Sequence, residues 1–352
     1  MPLARIPAVY YRGGTSKALM FRAADLPANR AAWDAIFLAA MGVPDPAARN
    51  LDGMGGGLSS LNKVCVIGPP SRSDADVDYT FAQCAVQEAR VEYGGNCGNM
   101  SAAVGPFAVE EGLVNRPPDG EAVVRIHNTN TGKIIVARFP VEQGALAAVG
   151  DLAIDGVAGT AAPIRLEFLA PGGAKTGKLL PTGQAVDVIE GLEASCIDAA
   201  NPCVFVMAEA LGKSGSETPQ ELEVDSAFLA RMAAIRQAGS QRMGVAGSAS
   251  VPLVAMVSSD GGEADITVRM ISMGQPHRAT PITGAICLAI AARIAGTLPH
   301  RLCASKDGPI RIAHPSGVTL VDAGLDGAGE AEYGAVYRTA RRLFEGNVLY
   351  PG

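Results

Sequence analysis

The segment GGNCGNMSAAVGPFAVEEG (94–112) contains a helix signal from which the fold can be predicted. Its residues Met100, Ala103, Val104, Phe107 and Ala108 follow the i, i+3, i+4, i+7, i+8 spacing of one helix face. Gly112 supplies a stop signal. Ala102 and Val109 widen the apolar face, so we expect a helix over 98–111 that is buried on most sides.

A weak internal repeat surrounds this helix. RGGTSKALMFRAADLP (12–27) precedes it, and DAANPCVFVMAEALG (198–212) precedes a second apolar helix predicted from about Gly284 to Gly296. Matching Gly14 to Asn201, Asp76 to Asp265 and Cys97 to Thr283 gives offsets of 187, 189 and 186 residues. The repeat predicts an α+β fold with two pseudo-symmetric lobes, each a strongly curved sheet around a central helix.

The chain length sets the domain organisation. A chain of 352 residues is too long for one ordinary core. The turn-rich segment PGGAKTGKLLPTG (171–183) predicts a boundary, which gives a first lobe over 1–178 and a second over 179–324. The strand-like end FEGNVLYPG (344–352) favours completion of the first lobe by residues 325–352.

Composition excludes several classes of partner and cofactor. The net charge of −6 and pI near 5.3 give no electrostatic reason to expect nucleic acid or an anionic membrane as a partner. The seven cysteines form no C-x-x-C pair, so no zinc or disulfide framework is expected. The first residues lack the apolar core of a signal peptide. We therefore expect a cytoplasmic protein, whose cysteines remain free thiols.

Cys97 is the first candidate for chemistry. It directly precedes the predicted helix, where unpaired N–H groups and the helix dipole favour a thiolate that can act as a base. Gly95 and Gly98 allow a substrate to approach the backbone, and the same N–H groups can bind a carboxylate. The alternative is a structural cysteine at a tight turn.

Lys63 is the second candidate. It is the only charge in LSSLNKVCVI (58–67) and follows the glycine-rich loop DGMGGG (52–57). It lies either at an exposed strand edge or in a pocket, where desolvation favours a neutral amine that can act as a base. The loop and the following Ser59 and Ser60 are typical of an anion-binding turn, without the G-K-[ST] order of a nucleotide P-loop.

Two further segments could bind carboxylates. RGGTSK (12–17) places glycines before the hydroxyls of Thr15 and Ser16, a pattern that suits either carboxylate binding or a simple hairpin turn. His277 and Arg278 fall near the start of the second predicted helix. They could bind a carboxylate or serve as turn residues.

Several motifs together resemble one family. Five segments of this chain are similar to motifs of the 2-methylaconitate cis-trans isomerase (PrpF-like) family, whose relatives include 3-methylitaconate Δ-isomerase and 4-oxalomesaconate tautomerase. The segments are RGGTSK, LDGMGGGLSSLNK, DADVDYTFAQ, GNCGNMSAAVGPFAVEEGLV and KLLPTG. The resemblance spans nearly the whole chain. It implies a diaminopimelate-epimerase-like fold of two lobes, each a barrel-like, mostly antiparallel sheet around a central helix, with the site between the two helix N-termini.

The resemblance also implies roles for individual residues. Lys63 and Cys97 match the family's catalytic lysine and cysteine. The substrate-binding segments match Thr15, Ser16, Ser59, Ser60, Asn96, Gly98, Asn99, Thr283 and Gly284. Racemases of this fold carry a second cysteine where Pro281 stands here, and Asn62 departs from the family's usual lysine motif.

The resulting hypothesis is a cofactor-independent isomerase that moves a proton by a 1,3-allylic shift in a small unsaturated di- or tricarboxylate such as methylitaconate, methylaconitate, aconitate or oxalomesaconate. One of Lys63 and Cys97 removes the proton and the other returns one. The alternatives are an amino-acid racemase on the same fold, which Pro281 disfavours, and a non-catalytic carboxylate-binding protein. The small-molecule substrate is the expected partner, and a homodimer is compatible with the sequence.

Overall fold

A computed structural model of the chain describes residues 3–94, 96–246, 251–259, 261–262, 264–272 and 274–351. The chain forms two compact units. The first comprises Met1–Glu167 with Tyr337–Gly352, and the second comprises Phe168–Val336. Among the described residues, no helix is long and apolar enough to cross a membrane.

Strands outnumber helices in both units, which confirms the predicted α+β class. In chain order the first elements are β1 (Leu3–Gly13), β2 (Ser16–Arg22), α1 (Trp33–Met41), β3 (Lys63–Gly68), β4 (Val77–Cys84), β5 (Val91–Glu92), α2 (Gly98–Glu110), β6 (Gly120–Asn128), β7 (Lys133–Glu142), β8 (Ala145–Leu146), β9 (Leu152–Ala153), β10 (Thr160–Ala161) and β11 (Ile164–Leu169).

The remaining elements are β12 (Asp187–Ile189), β13 (Leu192–Ala199), β14 (Asn201–Met207), α3 (Pro219–Val224), α4 (Ser226–Arg242), β15 (Leu253–Ser258), β16 (Ile266–Ser272), β17 (Gln275–Pro276), α5 (Ile282–Arg293), α6 (Leu298–Leu302), β18 (Ile310–His314), β19 (Gly317–Leu325), β20 (Ala331–Arg338) and β21 (Ala340–Pro351). β21 belongs to the first unit, where it pairs with β1 along the whole length of β1.

The sheet of the first unit alternates antiparallel and parallel pairs. β1 pairs antiparallel with β2, β2 parallel with β3, β3 antiparallel with β4, β4 parallel with β6, and β6 antiparallel with β7. Parallel neighbours need a crossover connection. α1 lies in the connection from β2 to β3, and α2 in the connection from β4 to β6.

The second unit has the same order of pairings. β13 pairs antiparallel with β14, β14 parallel with β15, β15 antiparallel with β16, β16 parallel with β18, and β18 antiparallel with β19. α4 lies in its first crossover and α5 in its second. The sequence repeat therefore corresponds to a repeat of connectivity.

The helix predicted over 98–111 is confirmed as α2, and its apolar face is buried. Phe107 is 1% exposed, and full burial of such a side chain contributes roughly 1.5–3 kcal/mol. A Cβ at Gly105 would lie 2.7 Å from Cε1 of Phe139, so this glycine permits close packing of α2 on β7. The second predicted helix is confirmed as α5, which begins earlier, at Ile282, and ends at Arg293 because Ile294 is extended.

Candidate active site

Cys97 occupies the N-cap position of α2. Its backbone is extended, and its side chain makes no capping hydrogen bond, so the thiol does not satisfy the first N–H groups of the helix. Ser101 donates to the Cys97 carbonyl from both its backbone N, at 2.9 Å, and its Oγ, at 3.1 Å. Gly95, predicted to flank the thiol, lies outside the described residues.

Exposure distinguishes Cys97 from the other thiols. It is partly exposed, whereas the other six cysteines are buried. Burial raises the pKa of Cys84 and of Cys196 to about 12, which keeps those thiols protonated at neutral pH. A nucleophile or base must be reachable by its substrate, so Cys97 is the thiol suited to chemistry.

Lys63 begins β3, and β3 is paired on both sides, with β2 and with β4. The residue is 8% exposed, so the exposed-edge alternative does not hold. Its Nζ donates to Oε1 of Gln83 at 2.5 Å and lies 5.1 Å from the ring centroid of Phe81. No carboxylate is recorded as an ion-pair partner of Lys63 in the part of the chain that the structure describes.

Gln83 holds the lysine in place, and sequence reasoning missed it. Its Nε2 donates to the carbonyl oxygens of Ser59 at 3.0 Å, Asn62 at 2.9 Å and Cys84 at 3.1 Å. Because three acceptors surround the amide nitrogen, the amide oxygen must face Lys63. The strand register places Gln83 directly opposite Lys63. The alternating pattern of β4 shows which of its residues share a face, but the sequence does not show which residue of which strand lies opposite Gln83.

Lys63 and Cys97 both act electrostatically on one buried thiol, that of Cys65. Strand alternation places Lys63 and Cys65 on one face of β3, where Sγ of Cys65 contacts the Tyr79 hydroxyl at 3.8 Å. Burial and then the charge of Cys97 raise the pKa of Cys65, while the charge of Lys63 acts in the opposite direction. That Lys63 and Cys97 form one catalytic pair stays a prediction.

The hairpin turn between β1 and β2 packs on the first turn of α2. Asn99 donates from Nδ2 to Oγ1 of Thr15 at 3.1 Å. A Cβ at Gly13 would lie 2.6 Å from the carbonyl oxygen of Asn99, which explains the glycine there. Thr15 is exposed and Ser16 is buried, so the two predicted binding hydroxyls differ in accessibility.

A buried amide network fixes the glycine-rich loop. Asn62 is fully buried. Its Oδ1 accepts from the Gly56 backbone N at 3.0 Å, and its Nδ2 donates to Oδ1 of Asn50 at 3.0 Å. Ser59 is exposed and Ser60 half-buried, and the Ser60 carbonyl accepts from the Lys17 backbone N. The departure from the family motif at Asn62 therefore has a structural role.

Four predicted binding residues belong to the second unit. Thr283 and Gly284 lie in the first turn of α5. Arg278 is exposed and forms an ion pair with Glu223 at 2.8 Å. Nδ1 of His277 accepts from the Ala279 backbone N at 3.0 Å. The binding roles of these residues stay predictions.

The second unit has a leucine and a proline at the positions that correspond to Lys63 and Cys97. In the order of pairings, β14 and β15 correspond to β2 and β3 of the first unit. Cys203 of β14 pairs with Leu253 of β15, as Ala18 of β2 pairs with Lys63 of β3. Leu253 therefore occupies the position that corresponds to Lys63. Pro281 is the N-cap of α5, as Cys97 is of α2. Connectivity is thus repeated while the lysine and the thiol occur in one unit.

Comparisons with known proteins agree with these features. The family model described as PrpF protein matches residues 3–351. The 3-methylitaconate isomerase of Eubacterium barkeri is 38% identical over 371 residues, which cover 98% of this chain and 97% of the relative. The 4-oxalomesaconate tautomerase of Pseudomonas putida is 42% identical over 349 residues, which cover 98% of this chain and 96% of the relative.

Solved structures show the same fold. A crystal structure of methylitaconate-delta-isomerase has a TM-score of 0.93 at 38% identity and covers 99% of this chain and 96% of its own. A hydroxyproline epimerase from Agrobacterium vitis has a TM-score of 0.51 at 13% identity and covers 98% of this chain and 92% of its own. The second likeness concerns the fold alone.

Proposed function

Because this chain belongs to the PrpF protein family, we propose that it is an isomerase that shifts a proton between two carbons of a small unsaturated di- or tricarboxylate. The observation that carries the proposal is a buried lysine, Lys63, whose Nζ is held by Gln83, together with a partly exposed thiol, Cys97, at the start of α2. The named relatives act on methylitaconate and oxalomesaconate, and we extend that substrate class to this chain.

In the proposed reaction, Lys63 and Cys97 act as one base and one acid. The base takes a proton from the carbon allylic to the double bond. The electrons of the broken C–H bond then form a dienolate whose charge lies on the conjugated carboxylate. The acid gives a proton to the far carbon of the allylic system, so the double bond moves with no net oxidation. The two groups regain their starting protonation through solvent.

The developing charge needs preorganised donors. The first N–H groups of α2 are left free by the Cys97 side chain, and one such donor is typically worth about 3–4 kcal/mol. Asn99 in the first turn of α2 and Thr15 in the β1–β2 turn are hydrogen-bonded to one another and add polar groups suited to a carboxylate. A placed acid or base contributes about 10²–10⁴-fold, so these side chains and backbone donors together can carry the reaction.

We also propose that the two units are pseudo-symmetric lobes, each a curved, barrel-like sheet around a central helix, α2 in the first and α5 in the second. The shared order of strand pairings supports this proposal. The fold likeness to an epimerase supports it as well.

Proton NMR in D₂O tests the function directly. Methylitaconate, aconitate, 2-methylaconitate and oxalomesaconate are incubated with the protein, and conversion with solvent deuterium at one defined carbon is expected for at least one of them. Absence of both conversion and exchange across the four acids would reject the proposal. Saturable binding without exchange would instead favour a carboxylate-binding protein.

Two variants test the roles of the pair. Cys97→Ala and Lys63→Ala should each lower kcat by about 10²–10⁴-fold while the circular dichroism spectrum stays unchanged. Cys303→Ala and Lys178→Ala, at positions of the second unit, are the matched controls. Full activity in either Cys97→Ala or Lys63→Ala would reject the proposed pair.

A further inference from the structure

The edge of β4 that faces β5 and β6 has a gap in its strand pairing. β6 pairs in parallel with β4 as far as Tyr79, and β5 pairs antiparallel with β4 from Gln83 onward. Phe81 lies between the two and is 6% exposed. A buried backbone N–H or C=O without a partner is costly, so the backbone groups of Phe81 need another source of hydrogen bonds.

The side chain of Asn130 fills this gap. Its Oδ1 accepts from the Phe81 backbone N at 2.8 Å, and its Nδ2 donates to the Phe81 carbonyl at 2.8 Å. The same Nδ2 donates to the carbonyl of Tyr93 at 2.7 Å, and Tyr93 directly follows β5. Both donor hydrogens of the amide are therefore used. One side chain takes the place of a backbone pairing and joins β4 to the end of β5.

The two residues that Asn130 joins lead to the two residues of the proposed pair. Nζ of Lys63 lies 5.1 Å from the ring centroid of Phe81, so the strand end of the link contacts the lysine. Tyr93 precedes Cys97 by four residues, so the other end of the link lies on the segment that leads to the thiol. A movement of the amide would therefore reach both candidate groups.

A second asparagine, at the end of β6, reaches the residue beside the thiol. Asn128 is fully buried, and its Nδ2 donates to Oδ1 of Asn96 at 3.5 Å. Oδ1 of Asn96 also accepts from Oγ of Ser101 in α2 at 3.2 Å. The end of β6 and the turn after it thus hold the segment before α2 at two points, Tyr93 and Asn96.

The second unit closes the corresponding gap in another way. The register of β16 with β18 matches that of β4 with β6, so Met270 corresponds to Phe81. The Met270 carbonyl accepts from the backbone N of His277 at 2.8 Å. Ser316, which corresponds to Asn130, donates from its hydroxyl to a carbonyl of the segment before α5. The amide that joins strand and segment belongs to the unit that carries the proposed pair.

We propose that Asn130 is a positioning residue, which holds the segment leading to Cys97 in a fixed place relative to the ring that contacts Lys63. Its amide acts through Phe81 and Tyr93. This inference rests on the proposed function for the reaction whose groups are positioned. Misplacement of reacting groups by about 1 Å can cost about 10²-fold in rate, so loss of the amide should lower kcat more than it changes KM.

Two variants of Asn130 test the role during turnover. Asn130→Ala removes the amide, and Asn130→Asp keeps its shape without its two donor hydrogens. Both should lower kcat by about 10–100-fold for whichever acid is converted, with a smaller change in KM. Unchanged kcat in both variants would overturn the inference.

Thr297→Val is the matched control for stability. It removes the hydrogen bonds of a buried hydroxyl in the second unit, to the carbonyls of Ala291 and Ile294 and from the His300 backbone N. It should lower the melting temperature, as Asn130→Ala does, and leave kcat unchanged. An equal loss of kcat in Thr297→Val and Asn130→Ala would assign the loss to stability and overturn the positioning role.

Alkylation of Cys97 tests the positioning without turnover. The rate constants for iodoacetate and iodoacetamide are measured on the Cys97 peptide by mass spectrometry, and their ratio cancels the ionised fraction of the thiol because the same thiolate attacks both reagents. The N–H groups at the start of α2 favour the carboxylate of iodoacetate. Both Asn130 variants should lower the ratio by about twofold to fivefold, the range for an anion at a helix N-terminus, and Thr297→Val should not.

A lowered ratio supports the inference even if none of the four acids is converted. An unchanged ratio in both Asn130 variants overturns it, whatever happens to kcat. Failure of the proposed function and failure of the positioning role are thereby distinguished.

Discussion

Replacement of Gln83 by glutamate perturbs the proposed chemistry at one atom. Gln83 offers Lys63 an uncharged oxygen at 2.5 Å, which accepts from an ammonium group or from a neutral amine and favours the ammonium form less than a carboxylate would. A neutral acceptor therefore lets the lysine exchange a proton during each turnover. A carboxylate at the same place would favour the ammonium form, because an opposite charge within about 4–6 Å shifts such an equilibrium by about 1–3 pH units.

The expected result of Gln83→Glu is a displaced pH–rate profile. The limb of kcat/KM that reports the lysine should move to higher pH by about 1–3 units, whether Lys63 is the base or the acid. If the neutral amine is the reactive form, each pH unit by which the limb moves upward lowers the rate about tenfold at any pH below that limb. The three carbonyls around Nε2 also lose their donor, so we expect a lower melting temperature.

Two further variants separate charge from structure. Gln83→Leu removes the acceptor without adding charge, and it should lower the rate without moving the limb upward. Gln87→Glu adds the same charge at an exposed position four residues along the chain, where the glutamine amide contacts the Pro46 carbonyl, and should leave the profile in place. A Gln83→Glu profile that superimposes on the wild type would refute the role assigned to Gln83.

Gly13→Ala should lower both the melting temperature and kcat, because its Cβ would lie 2.6 Å from the backbone oxygen of Asn99, and overpacking of this kind costs about 1–3 kcal/mol. Gly327→Ala, with nothing within 4 Å of the new Cβ, is the control, and equal stability of both variants would contradict the packing argument. Hydrogen bonds from the Lys213 side chain and then the Phe228 backbone N lower the pKa of Asp225, so its charge stabilises the fold above the ordinary aspartate pKa of about 3.9 and that contribution is lost as pH falls. The melting-temperature difference between the wild type and Asp225→Asn should be full near pH 7 and shrink below about pH 4; a constant difference from pH 7 to pH 3 would show that the charge has no such role.

Local sequence patterns predict the two central helices, α2 and α5, and the candidate thiol. The apolar spacing of Met100, Val104 and Phe107 predicts α2 because neighbours on a helix face are close in sequence. The position of Cys97 just before that helix follows from the same local pattern. Family motifs added Lys63, for which the local sequence alone favours an exposed strand edge, and the structure instead buries the residue.

The surroundings of these residues depend on pairing between strands that are distant in sequence. The burial of Lys63 depends on β2 and β4 pairing on either side of β3. Gln83 meets Lys63, and Arg12 meets Arg341, through strand registers that join residues 20 and more than 300 positions apart. Side-chain alternation in a strand shows which residues share a face, whereas register between strands is set by the whole core and by distant chain segments. The thiol could therefore be located from the sequence, but the partners of the lysine could not.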